Sequence, residues 1–148
     1  MKPLARWLLG IALVSLGFAA EPAPRFNHAA FYVVDLQASA NFYRDVVGLK
    51  PIPEPFHDGK HAWFEVGPQQ ALHIISGATA PLPKEKRNHF CLTVASVEAF
   101  TKRLAAHHVA FEDLAGTKGA ITRRPDGVNQ IYFQDPDGNW IEINDAKE

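Results

Sequence analysis

The stretch Phe133-Gln134-Asp135-Pro136-Asp137-Gly138-Asn139-Trp140-Ile141-Glu142-Ile143 decides the fold of this chain. Residues 135–138 predict a tight turn, because proline presets φ at one central position and glycine accepts a positive φ. The apolar residues on both sides predict a β-hairpin, with Ile141 and Ile143 on one face of the second strand and Glu142 on the other. A carboxylate between two isoleucines needs a partner or an exposed edge strand, because burial of an unpaired charge costs free energy.

The composition indicates a single globular domain. The chain has 148 residues, of which 47% are hydrophobic and 21% charged, and this is enough to bury an ordinary core. Its formal net charge is −1 and it contains no run of lysine and arginine, so nucleic acid is not an expected partner. The single cysteine, Cys91, cannot form an internal disulfide, so stability must come from packing.

The N-terminus predicts a cleaved secretory signal peptide over residues 1–20. Two positive charges precede an apolar run at residues 7–18 that is too short to span a bilayer comfortably, and small residues follow at a cleavage site. We therefore expect a secreted protein, periplasmic if the chain is bacterial, with no membrane attachment after cleavage. The alternative is an uncleaved N-terminal anchor. Residues 21–25 indicate a linker and residues 145–148 a short tail.

Residues 26–144 predict one domain built from a repeated unit. Its two copies are here called the first module (26–76) and the second module (88–144), and residues 77–87 link them. Each copy predicts a strand, a capped helix and further strands, which is an α+β composition. Two pairs of segments match between the copies: Asn27-His28-Ala29-Ala30-Phe31-Tyr32-Val33 with Asn88-His89-Phe90-Cys91-Leu92-Thr93-Val94, and Leu72-His73-Ile74 with Ile141-Glu142-Ile143. A unit of about sixty residues that occurs twice indicates paired modules and not a solenoid.

The repeat places metal-competent side chains at equivalent positions in the two modules. These are His28 and His73 in the first module, and His89 and Glu142 in the second. If the modules pair about a pseudo-twofold axis, all four can converge on one divalent ion, and three imidazoles with a carboxylate suit Zn²⁺, Ni²⁺, Fe²⁺, Co²⁺ or Mn²⁺. The alternative is that each histidine is an ordinary hydrogen-bonded strand residue. Three ligands would also suffice without His73, and Glu65 could replace it if the strand register differs.

Strand alternation also predicts which residues line a substrate pocket. Tyr32, Cys91 and Trp140 fall on the same strand faces as the predicted ligands of their strands. For Cys91 the alternative is a buried small hydrophobe, which is how free cysteines usually behave. Arg123 and Arg124 precede a turn and could hold an anionic group of the substrate, although a solvated hairpin is the commoner role for such residues.

These motifs resemble the vicinal oxygen chelate superfamily, which includes glyoxalase I, bleomycin- and fosfomycin-resistance proteins and extradiol dioxygenases. The resembling segments together span about residues 26 to 144: Asn27-His28, the helical stretch 39–49, Leu72-His73-Ile74, Asn88-His89-Phe90 and the stretch 135–143. The resemblance implies a glyoxalase-like α+β fold, in which two βαβββ modules form an incomplete mixed β-barrel around a metal site. It also implies a small substrate that chelates the metal through adjacent oxygens.

The closing segment is most similar to that of glyoxalase I, with two departures. Glyoxalase I typically has a carboxylate at the position of His73, so the resemblance does not carry over a proton shuttle between two carboxylates. It also has an arginine that contacts glutathione at the position of Tyr32, so it does not carry over glutathione as a substrate component.

Three functions remain open from the sequence. The first is a metal-dependent lyase or isomerase in which Glu142 is the general base and the metal lowers the pKa of the adjacent C–H. The second is an Fe(II) extradiol-type dioxygenase, with His28, His89 and Glu142 resembling the two-histidine, one-carboxylate triad. The third is a non-catalytic periplasmic protein that binds a small molecule or a metal. The resemblance leaves a homodimer open, and the sequence does not distinguish a module pair within one chain from a swapped pair between two chains.

Overall fold

A computed structural model describes residues 23–81 and 83–147 of the chain. The predicted signal peptide, residues 1–20, lies outside the described residues. Within the described residues, no helix is long and apolar enough to cross a membrane.

The first module is a βαβββ unit. It runs from β1 (His28–Val33) through α1 (Leu36–Asn41), which continues as a π-helical segment (Phe42–Val47), to β2 (Lys50–Ile52), β3 (His61–Gly67) and β4 (Gln70–Ser76). The helix begins where the carboxylate of Asp35 accepts a hydrogen bond of 3.0 Å from the backbone N–H of Ala38. It ends at Gly48, whose φ of 88° favours glycine.

The second module repeats this order. It runs from β5 (His89–Thr93) through α2 (Val97–Ala106) to β6 (Thr122–Arg123), β7 (Asn129–Gln134) and β8 (Trp140–Asn144). The hydroxyl of Ser96 caps α2 by accepting a hydrogen bond of 3.1 Å from the N–H of Ala99. The predicted α+β fold of two βαβββ modules is therefore confirmed.

Each module forms one mixed four-stranded sheet of equivalent topology. The strand orders are β1-β4-β3-β2 and β5-β8-β7-β6, and in each sheet the first two strands are parallel. The register is equivalent as well, because Ala30 lies opposite His73 and Cys91 lies opposite Glu142. The described strands do not join the two sheets by hydrogen bonds, so they form no closed barrel.

The apolar faces of both sheets contribute to one hydrophobic core. Leu72 and Ile74 of β4 and Ile141 and Ile143 of β8 are all fully buried in the same cluster, together with residues of both helical segments. Strand alternation then places the intervening residues on the face of each sheet that points away from the core. This rule decides where the candidate ligands lie.

The turn at residues 135–138 docks the second module onto the first. Asp137 Oδ1 accepts a hydrogen bond of 2.8 Å from the backbone N–H of Val34, and its Oδ2 accepts one of 3.1 Å from Ser39 Oγ. Asp135 Oδ1 accepts from the N–H groups of Asp137 and Asn139 within the turn itself. The hairpin motif thus closes its own turn and also holds the first module.

Candidate metal centre

Glu142 and His89 form the polar pair of the second module. His89 Nε2 lies 3.1 Å from Glu142 Oε2. The Glu142 carboxylate is only 6% exposed, and it accepts hydrogen bonds from the other polar residues around it. The donors are Tyr132 Oη at 2.7 Å, Asn144 Nδ2 at 2.9 Å and Cys91 Sγ at 3.4 Å.

These contacts keep the Glu142 carboxyl ionised at neutral pH. Burial opposes the charge, but the hydrogen bonds from Tyr132, Asn144 and Cys91 and the interaction with His89 outweigh it, so the pKa of Glu142 is lowered. The side chain therefore has the charge that a metal ligand or a general base requires.

The backbone of the linker between the modules, residues 77–87, fixes the orientation of His89. Its Nδ1 lies 2.9 Å from the carbonyl oxygen of Lys86. A carbonyl only accepts, so Nδ1 carries the proton and donates it. In the neutral ring, Nε2 then directs a lone pair at the Glu142 carboxylate. Two electron-rich atoms in this arrangement need either a second ring proton or a cation between them, so the donor set fits a divalent metal.

The side chain of Lys86 anchors that linker to the second module. Its Nζ forms an ion pair with the Glu112 carboxylate and donates a hydrogen bond of 3.2 Å to the Asp113 carbonyl. It also lies 5.0 Å from the ring centroid of Trp140 and 5.8 Å from that of Tyr132. The Lys86 carbonyl is thereby held beside His89. The sequence offered no signal for this contact, because it depends on the path of the linker.

His28 and His73 form the polar pair of the first module. Their rings are stacked, with centroids 4.2 Å apart, and the opposite face of His73 stacks on Trp63 at 3.9 Å. His28 Nδ1 lies 2.7 Å from Asn27 Oδ1. Burial, with smaller contributions from His28 and His61, lowers the pKa of His73, so this imidazole is neutral at pH 7 and can offer a lone pair.

The two pairs do not meet within one chain. Over the described residues, no group of three or more histidine, cysteine, aspartate or glutamate side chains is placed to hold one metal ion. Of the two arrangements left open from the sequence, convergence of all four ligands inside a single chain therefore differs from the structure. The physical reason is that the core occupies one face of each sheet, so each pair lies on the outer face of its own sheet.

The predicted pocket residues have different surroundings. Tyr32 is 60% exposed on the His28 face of β1. Cys91 lies beside Glu142, and burial followed by the Glu142 charge raises the pKa of its thiol to about 12. Trp140 lies under Lys86 and donates from Nε1 to the carbonyl oxygen of Lys84 at 3.2 Å, so it supports the linker.

Register distinguishes Arg123 from Arg124. Arg123 lies opposite Asn129, whereas Thr122 lies opposite Gln130, whose amide donates a hydrogen bond of 2.9 Å to Tyr132 Oη on the Glu142 side. Alternation therefore places Arg124, and not Arg123, on the face of Glu142. Burial and the contacts with Glu142 raise the pKa values of Cys91 and Tyr132, and the positive charge of Arg124 opposes that rise, in agreement with its place on this face.

Tyr132 was not among the residues predicted from the sequence. It lies directly opposite Glu142 across the hairpin. Counting outward from a turn at residues 135–138 would have paired Tyr132 with Ile141, because a hairpin pairs residues at equal distances from its turn. In the structure Asp135 pairs with Asn139, which shifts the register by one residue and brings Tyr132 opposite Glu142.

Comparisons with known proteins agree with this architecture. A sequence model described as the Glyoxalase/Bleomycin resistance protein/Dioxygenase superfamily matches residues 25–143. Uncharacterized protein YwbC of Bacillus subtilis (strain 168) is 31% identical over 127 residues, which cover 82% of this chain and 97% of YwbC. Among solved structures, a lactoylglutathione lyase from Agrobacterium tumefaciens is 27% identical, with a TM-score of 0.63 over 85% of this chain and 96% of its own.

A second solved structure, the oxidase ChaP-H1, is also 27% identical, with a TM-score of 0.68 over 84% of this chain and 98% of its own. The family match spans both modules and includes both polar pairs. The chain therefore belongs to the Glyoxalase/Bleomycin resistance protein/Dioxygenase superfamily.

Proposed function

We propose that this protein is a metal-dependent enzyme that acts on a small substrate through two adjacent oxygens, by lyase or isomerase chemistry with Glu142 as the base. One observation carries the proposal: His89 Nε2 and Glu142 Oε2 lie 3.1 Å apart, while Nδ1 of the same ring lies 2.9 Å from a carbonyl oxygen. A bound divalent ion would act as a Lewis acid on the substrate oxygens.

The surroundings of Glu142 suit a base. Its lowered pKa keeps the carboxylate ionised, and the hydrogen bond from Tyr132 Oη holds Oε2 beside His89. A carboxylate in this position can take a proton from carbon and return it to the neighbouring carbon. The similarity to a lactoylglutathione lyase supports this class of chemistry.

We further propose that a second copy of the chain completes the metal centre. The pair His28 and His73 of one copy would face the pair His89 and Glu142 of the other, which gives two equivalent sites in a twofold dimer. The position of each pair on the outer face of its sheet supports this arrangement. It provides all four predicted ligands without disturbing the core.

Mixing two inactive chains tests where the ligands come from. One chain carries His28→Ala and His73→Ala, and the other carries His89→Ala and Glu142→Ala. If two chains share each site, the mixed dimer has one intact centre and regains metal, which elemental analysis measures after removal of the homodimers. If each site lies within one chain, the mixed dimer has no intact centre and stays metal-free.

Glu142→Gln tests the base. This substitution keeps the shape of the side chain, and we expect turnover to be lost by a factor of about 10² to 10⁴. Measurement of bound metal alongside turnover separates loss of the base from loss of the ion. A variant that keeps its metal and most of its turnover would contradict the role of Glu142 as base.

The dioxygenase is the second candidate function, supported by the similarity to the oxidase ChaP-H1 and by the presence of two histidines and a carboxylate. Oxygen consumption that occurs only with iron would favour it, whereas turnover under argon would exclude it. Metal and ligand binding without turnover of either kind would leave a binding protein. Export through residues 1–20 also remains a proposal, and N-terminal sequencing of the mature protein tests it.

A further inference from the structure

The outer face of the first sheet carries a cavity of about 730 Å³, which is within the range of small-molecule sites. It begins at the histidine pair on β1 and β4 and extends across β3 to the edge strand β2. Its walls include six residues that define its character: His28, His73, Ile75, Trp63, Ile52 and Phe56.

Strand alternation builds this cavity from the sequence. On β3, Trp63 points to the cavity, while its neighbour Phe64 is 2% exposed in the core. On β4, His73 and Ile75 line the cavity, while Ile74 is fully buried. The cavity therefore has its metal-competent groups at one end of the sheet and its apolar groups toward the other.

An aromatic side chain closes the apolar end. Phe56 follows the proline-rich segment after β2, and its ring lies edge-on to Trp63 with centroids 6.2 Å apart. It also lies 4.4 Å from the ring of His61. Phe56 is 59% exposed, so much of its ring is free to contact a ligand.

The charges around the cavity exclude one type of ligand. Among the described residues that line it, none is a lysine or an arginine, and the one carboxylate is Glu65, which pairs with Lys50 at 3.3 Å. His61 also lines the apolar end, and its Nδ1 lies 2.9 Å from Asp58 Oδ1, so a carboxylate already occupies that position. A ligand arm with several carboxylates, such as a glutathione conjugate, would find no cation in this wall to pair with.

We propose that this cavity holds an aromatic, uncharged arm of the substrate, so the substrates are ring-bearing compounds whose adjacent oxygens lie at the histidine pair. The inference rests on the proposed function, because the metal ligands determine which end of the substrate carries the oxygens. A flat ring over Trp63 and beside Phe56 would gain apolar burial and aromatic contacts. Substrate choice is thereby assigned to the first module.

Two probes that differ in the ring test the proposal. 4-Nitrocatechol has two adjacent oxygens on an aromatic ring, and acetohydroxamate has two adjacent oxygens without a ring. Both are titrated into the metal-loaded full protein, its Phe56→Ala variant and a control variant, Leu114→Ala. Leu114 is similarly exposed, at 49%, and does not line the cavity.

We expect Phe56→Ala to lower the affinity for 4-nitrocatechol about tenfold and to change the affinity for acetohydroxamate less than about twofold. Leu114→Ala should change neither. Equal effects of Phe56→Ala on both probes, or no effect on either, would overturn the aromatic-arm inference while the metal-dependent binding still stands. If Phe56→Ala raises the dissociation constant of the dimer and leaves the ligand affinities unchanged, the aromatic-arm inference is also overturned, because the second copy would then occupy the cavity.

The same titrations in metal-free protein separate this inference from the proposed function. If neither probe binds more tightly with metal, the proposed function fails. Binding of 4-nitrocatechol to metal-free protein that is lost in Phe56→Ala would still support the aromatic cavity. Absence of binding in both forms would overturn both proposals.

Discussion

The hydroxyl of Tyr43 donates a hydrogen bond of 2.8 Å to Oδ2 of Asp135, and this contact joins the helical segment of the first module to the turn of the second. Tyr43 is fully buried and Asp135 is 5% exposed. The same carboxylate also accepts from Asn139 Nδ2 at 2.8 Å. A buried charge is therefore satisfied by both modules at once, which makes the turn an interface as well as a loop.

Tyr43→Phe should destabilise the protein by about 2 kcal/mol, because it removes a buried hydrogen bond to a charged acceptor and leaves the aromatic ring in place. The free energy of unfolding from urea denaturation measures the effect. Tyr32→Phe is the matched control, since Tyr32 is 60% exposed, and it should change stability by less than about 0.5 kcal/mol. Equal losses in the two variants would contradict the role of this contact.

The stability difference between wild type and Tyr43→Phe should also depend on pH. Burial, and then the negative charge of Asp135, raise the pKa of Tyr43 well above its usual value. In the unfolded chain tyrosine ionises near pH 10. The contribution of Tyr43 is therefore fully present below about pH 10 and is lost as the pH rises above it.

Phenylalanine does not ionise, so the gap in unfolding free energy between the two proteins should be constant below about pH 10 and should narrow above it. Urea denaturation of both proteins at about pH 8 and about pH 11 measures the change. Other tyrosines titrate in both proteins and cancel in the difference. A gap of the same size at both pH values would show that folding does not raise the pKa of Tyr43.

The sequence predicted the local structure better than the arrangement of the site. Asp35 and Ser96 cap the two helices as expected, because capping depends on residues three positions apart. The repeat predicted two equivalent modules, and the family resemblance implied their βαβββ order. Whether the polar pairs meet depends on which sheet faces share the core, and that is decided by tertiary packing. The contact between His89 and the Lys86 carbonyl could not be predicted from the sequence either, because it depends on the path of the backbone and not on a pattern of side chains.

Lys86→Met should weaken metal binding without removing a ligand. The substitution keeps the alkyl chain but removes the ion pair with Glu112, so the carbonyl that orients His89 is less firmly held. Loss of a group that supports a metal ligand typically lowers affinity by about 10 to 100-fold, and we expect the lower end. Competition with a chromophoric chelator measures the zinc affinity.

Arg87→Met is the control for that experiment, because the Arg87 side chain is 85% exposed on the same linker. It should leave zinc affinity unchanged within about twofold. If Lys86→Met and Arg87→Met bind zinc equally well, the linker does not position His89.

Arg124 and Arg123 offer a matched pair for the polar side of the site. Alternation places Arg124 on the Glu142 face and Arg123 on the other, so only Arg124 should assist an anionic ligand at the metal. Arg124→Met should weaken the binding of oxalate, a dianionic oxygen chelator, roughly tenfold relative to acetohydroxamate, which chelates as a monoanion, because a charge-assisted contact is lost. Arg123→Met should leave the ratio of the oxalate and acetohydroxamate affinities unchanged. Calorimetric titration of both ligands into the metal-loaded variants measures it, and a larger effect at Arg123 would reverse the assignment of the two faces.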